Sequence, residues 1–234
     1  MTTEYQITAG LPRPTAFFVV SDLHGCAVDP IIELIKKSGC GAVLLPGDCF
    51  HGDEMYMTGA EFLREASKVC PVFFSIGNHE MKCGFDITAE AERCGASVLD
   101  NSSAEFNGVI IGGLTTGYPK LEKQTHFKKS PPPDLEWLER FSALPGYKLL
   151  LCHHPEYYAR YIRRLPVDLT VSGHAHGGQW RFFGRGVFAP GQGIFPKYTS
   201  GMYEGRLIVS RGVGNPHFIP RIDNKPEVIV IKIK

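Results

Sequence analysis

Two histidines one residue apart stand in Val171-Ser172-Gly173-His174-Ala175-His176-Gly177-Gly178-Gln179, just after the run 168–171. Imidazole is the commonest protein ligand for metal ions. On a strand, residues i and i+2 point to one face, so the spacing predicts that both rings look into the same space. The flanking glycines let the chain turn and let a ligand approach. A lone His-x-His is also met as satisfied polar packing inside a core. Four further stretches end in the same way, and they decide for chemistry. Asp22-x-His24 follows the apolar run 17–20 and Asp48 follows 42–45. Asn78-His79-Glu80 follows 72–76, and His153-His154 follows 147–151.

Asp22, His24, Asp48, Asn78, His79, His153, His174 and His176 are eight polar groups from five segments, more than one metal ion needs and suited to two. Mixed carboxylate, amide and imidazole ligands favour two divalent ions of the manganese, iron and zinc class over calcium, with manganese preferred. Two ions about 3.5–4 Å apart activate a water and steady both the attacking and the leaving oxygen of an in-line displacement. A bridging carboxylate must sit centrally, and Asp48 on the middle motif is the choice. The ions bring +4, Asp22 and Asp48 bring −2 and a bridging hydroxide −1, so about +1 remains to attract an anion such as a phosphate ester. A storage site would neutralise itself with more carboxylates. Glu80 is expected to orient a neighbouring imidazole rather than bind metal.

Other segments must position these groups. The runs 17–20, 42–45 and 72–76 are of the kind buried on both faces in a parallel sheet. Amphipathic stretches at 31–37, 54–69 and 86–95 predict helices, the first opened by Pro30. Such alternation predicts a parallel sheet with ligands beyond the carboxyl ends of its strands. Shorter strands are expected at 98–99, 104–106 and 109–112, where Asn107-Gly108 signals a hairpin and pairing passes from parallel to antiparallel. Residues 135–143 and 157–165 read as helices, and 206–210 and 228–233 as closing strands. Residues 1–15 read as a lead-in arm to a single domain spanning 1–234.

Bulk properties exclude several classes. A hydrophobic fraction of 43% and a charged fraction of 21% are those of a soluble globular chain. A net charge of +1 gives no whole-molecule attraction to nucleic acid. Seven cysteines, odd in number and without a Cys-x-x-Cys pair, point to reduced thiols and a cytoplasmic setting. No cysteine is followed six residues later by arginine, and no Gly-x-Ser-x-Gly is present, which argues against cysteine phosphatase and serine hydrolase chemistry. The apolar run 16–20 is too short to span a bilayer, and no signal-peptide layout precedes it.

Asp22-x-His24, Gly47-Asp48, Gly77-Asn78-His79-Glu80, His153 and Gly173-His174-x-His176 resemble, in order, the complete five-block motif set of the calcineurin-like metallophosphoesterases. The resemblance runs from about residue 16 onward. It implies an α/β fold, a two-sheet β-sandwich flanked by helices in four αββα layers. It also implies one metal held by Asp22, His24, Asp48 and His176, and another by Asp48, Asn78, His153 and His174. His79 is then the unligated catalytic histidine, donating a proton to the leaving oxygen or steadying the transferring phosphoryl group. His153 is preferred to His154 because it lies two residues before Pro155, as in the family pattern. Gly177-Gly178-Gln179, Ser210-Arg211-Gly212 and Pro226-Glu227 resemble a bacterial branch that includes phosphodiesterases of cell-envelope or lipid-linked substrates. Members of that branch often begin with a membrane or export segment, a pattern residues 1–20 do not show.

The expected activity is hydrolysis of a phosphodiester or monoester by a phosphoesterase acting on a small or lipid-linked substrate. The competing reading is a non-catalytic protein-binding scaffold on the same fold, as in some retromer subunits, although such scaffolds usually lack several ligands. His51 departs from the family's Gly-Asp-x-x-Asp; it either lines the cleft or caps a turn. His51, Arg211 and His217 are candidates for contact with substrate phosphate. His126 is expected in solvent. Phe182, Phe183, Phe188 and Phe195, interleaved with Arg181, Arg185 and Lys197, are expected to pack as the core of a hairpin, with a lipid- or base-stacking rim as the alternative.

Overall fold

A computed structural model describes residues 1–52, 56–122, 124, 129–215 and 220–234, so His126 and His217 lie outside the described residues. In chain order the first half comprises β1 (Thr2–Ile7), β2 (Thr15–Val19), α1 (Asp29–Ser38), β3 (Ala42–Leu45), α2 (Tyr56–Ser67), β4 (Val72–Ser75), α3 (Ile87–Arg93) and β5 (Ser97–Leu99). Then come β6 (Ser102–Phe106), β7 (Val109–Leu114), α4 (Leu135–Ser142), β8 (Tyr147–Cys152) and β9 (Leu169–Ser172). Two small hairpins follow, β10 (Arg181–Phe182) with β11 (Arg185–Gly186) and β12 (Phe188–Ala189) with β13 (Gly193–Ile194). The last strands are β14 (Gly201–Tyr203), β15 (Leu207–Val209) and β16 (Val228–Ile233).

Two six-stranded sheets result, in the orders β1-β16-β2-β3-β4-β5 and β14-β15-β9-β8-β7-β6. Strand alternation explains how they stack. Phe17, Val19, Ala42 and Leu44 face Leu149, Leu151, Leu169 and Val171 of the other sheet, in one inter-sheet core. Their neighbours Phe18, Val20, Val43 and Leu45 face the opposite way, onto Ile32 and Ile35 of α1 and Phe62 and Leu63 of α2. The outer face of the second sheet, with Leu150 and Cys152, packs on Leu138 and Phe141 of α4. These are the four αββα layers. Each fully buried aliphatic or aromatic side chain contributes about 1.5–3 kcal/mol, so the strands are firmly anchored.

Helix α1 ends where Gly39 takes φ 63, a left-handed stop that glycine accepts without strain. β2, β3, β4 and β5 run parallel, as strand–helix alternation requires. The passage to antiparallel pairing near residue 100 is a change of sheet: β5 closes the first, and β6 opens the second against β7 across Asn107-Gly108. Residues 1–15 are not an arm throughout. Thr2–Ile7 pairs residue for residue with β16, and Tyr5 and Ile7 pack against the inter-sheet core. The alternation Thr3, Tyr5, Ile7 is that of a half-buried edge strand. The expected helix at 157–165 is one wide π-type turn, Tyr158–Ile162.

Candidate metal centre

The polar groups sit beyond the strand ends, where the backbone turns sharply. Asp22, His24, Asp48, His174 and His176 all have φ between 40 and 63. Asp and His tolerate the left-handed region better than most residues, yet each such position costs on the order of 1 kcal/mol. Five of them around one cleft mark a site whose geometry the anchored strands enforce. This corrects the strand-alternation argument for the His-x-His pair. β9 ends at Ser172, both histidines lie in the loop beyond it, and their rings join different clusters.

Asp22, His24 and His176 come together in one cluster, and Asp48, His153 and His174 in another. In the first, Asp22 Oδ1 lies 3.5 Å from His176 Nε2 and 3.9 Å from His24 Nε2. In the second, Asp48 Oδ2 lies 3.0 Å from His153 Nε2, and it is also 3.6 Å from His24 Nε2. Asp48 therefore stands between the clusters. Gly47 allows this approach: a Cβ there would come within 2.6 Å of His153 Nδ1. His153 Nδ1 donates to the Pro46 carbonyl at 2.9 Å, which aims Nε2 at Asp48. His154 is held elsewhere, by Thr116 Oγ1 at 2.8 Å and beside Glu156.

Asp22 Oδ2, His24 Nε2, Asn78 Oδ1 and His174 Nε2 are buried without a hydrogen-bond partner among the described residues. Buried polar atoms are almost always paired. Here the unpaired ones are oxygen and nitrogen lone pairs from three segments, the donor set that divalent cations of the manganese, iron and zinc class accept. The residues present fit such ions.

Electrostatics separate the members. Burial pushes His24 down to about 3, with His176 and His51 adding to the effect. Burial likewise holds His174 and His79 well below the ordinary imidazole range. Burial also works against a charged His153, but Asp48, Asp22 and Glu80 outweigh it and raise that ring to about 9. Burial favours a neutral Asp48, yet His153, His79 and His24 hold its carboxyl well below the ordinary range.

The profile of the calcineurin-like phosphoesterase family matches residues 15–178. The chain belongs to this family. An uncharacterized metallophosphoesterase of Aquifex aeolicus is 28% identical over 97% of this chain and 88% of its own length. The phosphodiesterase YaeI of Escherichia coli is 27% identical over 94% of this chain and 82% of its own. The solved phosphopantetheinyl hydrolase of Mycobacterium tuberculosis superimposes with a TM-score of 0.51 at 13% identity, over 86% of this chain and 90% of that one, a likeness of fold.

Several residues of this phosphoesterase support the cleft in ways its motifs do not reveal. Glu80 accepts the backbone amides of Asp48, Phe50 and Gly77 at 2.8–3.0 Å. It therefore shapes the Asp48 loop, in place of the expected role of orienting a neighbouring imidazole. Gln124 takes the Asn78 side-chain amide at 2.8 Å, turning its carbonyl oxygen free. Asn224 donates to the carbonyls of His176 and Gln179 and pins the histidine loop. Lys82 brings Nζ to 3.3 Å from His79 Nε2. His51 lines the cleft: its Nδ1 is 2.6 Å from His24 Nδ1 and its ring centroid 4.1 Å from that of His79. Arg211 does not reach the clusters. Its side chain turns to Glu227 and Met1, while Arg221 Nη2 lies 3.4 Å from His176 Nδ1. Nothing in the residue types distinguishes the two arginines. Their directions are set by the loop between β15 and β16.

Proposed function

We propose that this phosphoesterase hydrolyses phosphodiesters with two divalent cations, manganese preferred over iron or zinc. The observation that carries the reading is the set of buried, unpartnered ligand atoms of Asp22, His24, Asn78 and His174, which converge from three segments on the Asp48–His153 pair. Asp22, His24, Asp48 and His176 are the ligands of one cation. Asp48, Asn78, His153 and His174 are those of the other. When bound, such a pair supplies Lewis-acid activation of a water and stabilises the charge that develops on the phosphoryl oxygens. The chain's own groups then orient and protonate. His79, kept neutral by burial, presents an N–H to the phosphoryl or leaving oxygen, and Lys82 is within reach to return a proton. Arg221 beside His176 is placed to meet a substrate anion, and His51 on the rim holds the His24 ring.

The similarity to the Escherichia coli phosphodiesterase YaeI supports the preference for diesters. The net charge of +1 favours a small or lipid-linked ester over a polynucleotide, in the cytoplasm. Among the described residues no helix is long and apolar enough to cross a membrane. A scaffold without metal would leave four buried polar atoms unsatisfied, each at a cost of about 1–3 kcal/mol. The test compares bis(p-nitrophenyl) phosphate with p-nitrophenyl phosphate in the presence of manganese. Faster turnover of the diester is expected, and a large monoester preference would reverse the assignment.

A further inference from the structure

The segment after the histidine loop does not form the expected hairpin core. Phe183 is 106% exposed, Phe195 77%, Ile194 70% and Phe182 53%. Two of these side chains also occupy costly backbone. Phe183 and Gly184, the central pair of the β10–β11 turn, have φ of 50 and 79, and Phe195 has φ 51. Such turns favour Asn-Gly, and a bulky side chain in the left-handed region is strained. Phe183 and Phe195 therefore pay twice, in strain and in exposure, and bury little or nothing in the isolated chain.

The tips share a face with a concentration of cations. Gly184, Arg185, Phe195 and Lys197 line one cavity. A second cavity carries the surface from Lys197 to Lys129 and Arg160, and a third carries it on to Arg163 and Arg164. The acidic residue among these lining groups is Glu156, which is 5% exposed and hydrogen-bonded to Ser130. At the margin, Glu204 is occupied by Arg163 at 2.8 Å. Against a whole-chain charge of +1, this is a strong local excess. The face is also firmly mounted. Buried Arg181 donates to the carbonyls of Gly177 and Gly184, and a Cβ on Gly178 would come within 2.3 Å of Gly186. The hairpin is thus fixed to the loop that bears His174 and His176.

We infer that this face docks on an anionic lipid bilayer. Phe183, Ile194 and Phe195 enter the boundary between headgroups and acyl chains, while Arg185, Lys197 and Arg164 meet the phosphates. Projecting apolar side chains ringed by basic ones match that interface, where buried apolar area and attraction to anionic lipid act together. A single-stranded polynucleotide needs flat aromatic platforms along a basic groove. Here the apolar groups project from separate turns, and Ile194 has no ring to stack. The inference does not depend on the phosphodiesterase reading.

Vesicle sedimentation tests it, with phosphatidylcholine alone and phosphatidylcholine mixed with phosphatidylglycerol. The intact chain should pellet with the mixed vesicles, less so as salt rises, and remain in solution with the neutral ones. Phe183→Ser with Phe195→Ser should lower the partition about tenfold or more, and Arg164→Glu with Lys197→Glu should remove the preference for anionic lipid. Both pairs should keep the thermal midpoint and the turnover of a soluble ester, because these side chains lie outside the cleft. Equal pelleting of all forms, or no preference for anionic vesicles, overturns the inference. So does binding of a fluorescent single-stranded oligonucleotide that the Phe pair abolishes while vesicles are ignored.

Discussion

The two clusters use the same residue types, yet their surroundings make them opposite in charge behaviour. Around Asp22, His24 and His176, burial wins and His24 falls to about 3. In the Asp48 cluster burial also keeps His174 low, but at His153 it loses to three carboxylates and that ring rises to about 9. Geometry explains the difference. His153 Nε2 is 3.0 Å from Asp48 Oδ2, whereas His24 Nε2 has its nearest carboxylate oxygen at 3.6 Å and the rings of His176 and His51 beside it. Without cations, the Asp48 cluster holds a proton between acid and base, while in the Asp22 cluster burial keeps the His24 ring neutral and pushes the Asp22 carboxyl up. Metal binding at the Asp48 cluster would have to release the His153 proton, whereas His24 in the Asp22 cluster is already neutral.

Removing the shared carboxylate should erase the contrast. Asp48→Ala is expected to lose metal from both clusters, because Asp48 lies within 3.6 Å of a histidine of each. Elemental analysis should fall towards zero and turnover towards background, and a full complement of metal in the variant would refute the central position of Asp48. His79→Ala should do the reverse, keeping its metal while losing about 10²–10⁴ in kcat, the range of acid–base groups. Unchanged turnover would remove His79 from the reaction.

The contrast itself was not legible in the sequence, although its members were. Apolar runs ending in Asp, Asn and His were readable because strands buried on both faces are continuously apolar, and the order of the motifs identified the family. Direction was not readable. Whether a ring at a strand end points up or back depends on φ, and the left-handed turns at Asp22, His24, Asp48, His174 and His176 leave no mark in residue type. The same limit exchanged Arg211 for Arg221 and hid Gln124 and Asn224, polar loop residues with no pattern of their own. β1 was missed because an edge strand buries only alternate residues. Phe183 and Phe195 were misplaced because apolar composition says inside, while their turns put them outside.

The proton on His153 gives the contrast a pH signature. Its folded-state value of about 9 lies above the ordinary imidazole value, so below pH 9 the ring is charged in the metal-free protein. Each pH unit below 9 should then weaken ion binding at the Asp48 cluster about tenfold. His24, at about 3, imposes no such penalty between pH 5 and 9 on the Asp22 cluster. Manganese titrations at several pH values should resolve two sites that converge in affinity as pH rises. Calorimetry in buffers of different ionisation enthalpy should show about one proton released per protein near pH 7. Two sites of identical pH dependence would mean that the clusters are electrostatically alike.

The smallest effect is expected at His51, and it bears on what that residue is for. With His24 Nε2 facing Asp48, His24 carries its proton on Nδ1 and donates to His51 Nδ1 at 2.6 Å. His51 then fixes the tautomer of a ligand, a role whose loss typically costs about 10–100-fold in metal affinity. His51→Ala should weaken the Asp22 cluster towards the low end of that range and leave the Asp48 cluster as it was. His51→Asn, which keeps an acceptor, should recover part of the loss. A substrate contact predicts another pattern, a higher KM at unchanged metal occupancy with no rescue by Asn. Arg211→Ala, its side chain turned to Glu227 and Met1, should change neither. If instead Arg211→Ala raises KM, the arginine that meets the substrate is the one the sequence first indicated, and the place given to Arg221 beside His176 is wrong.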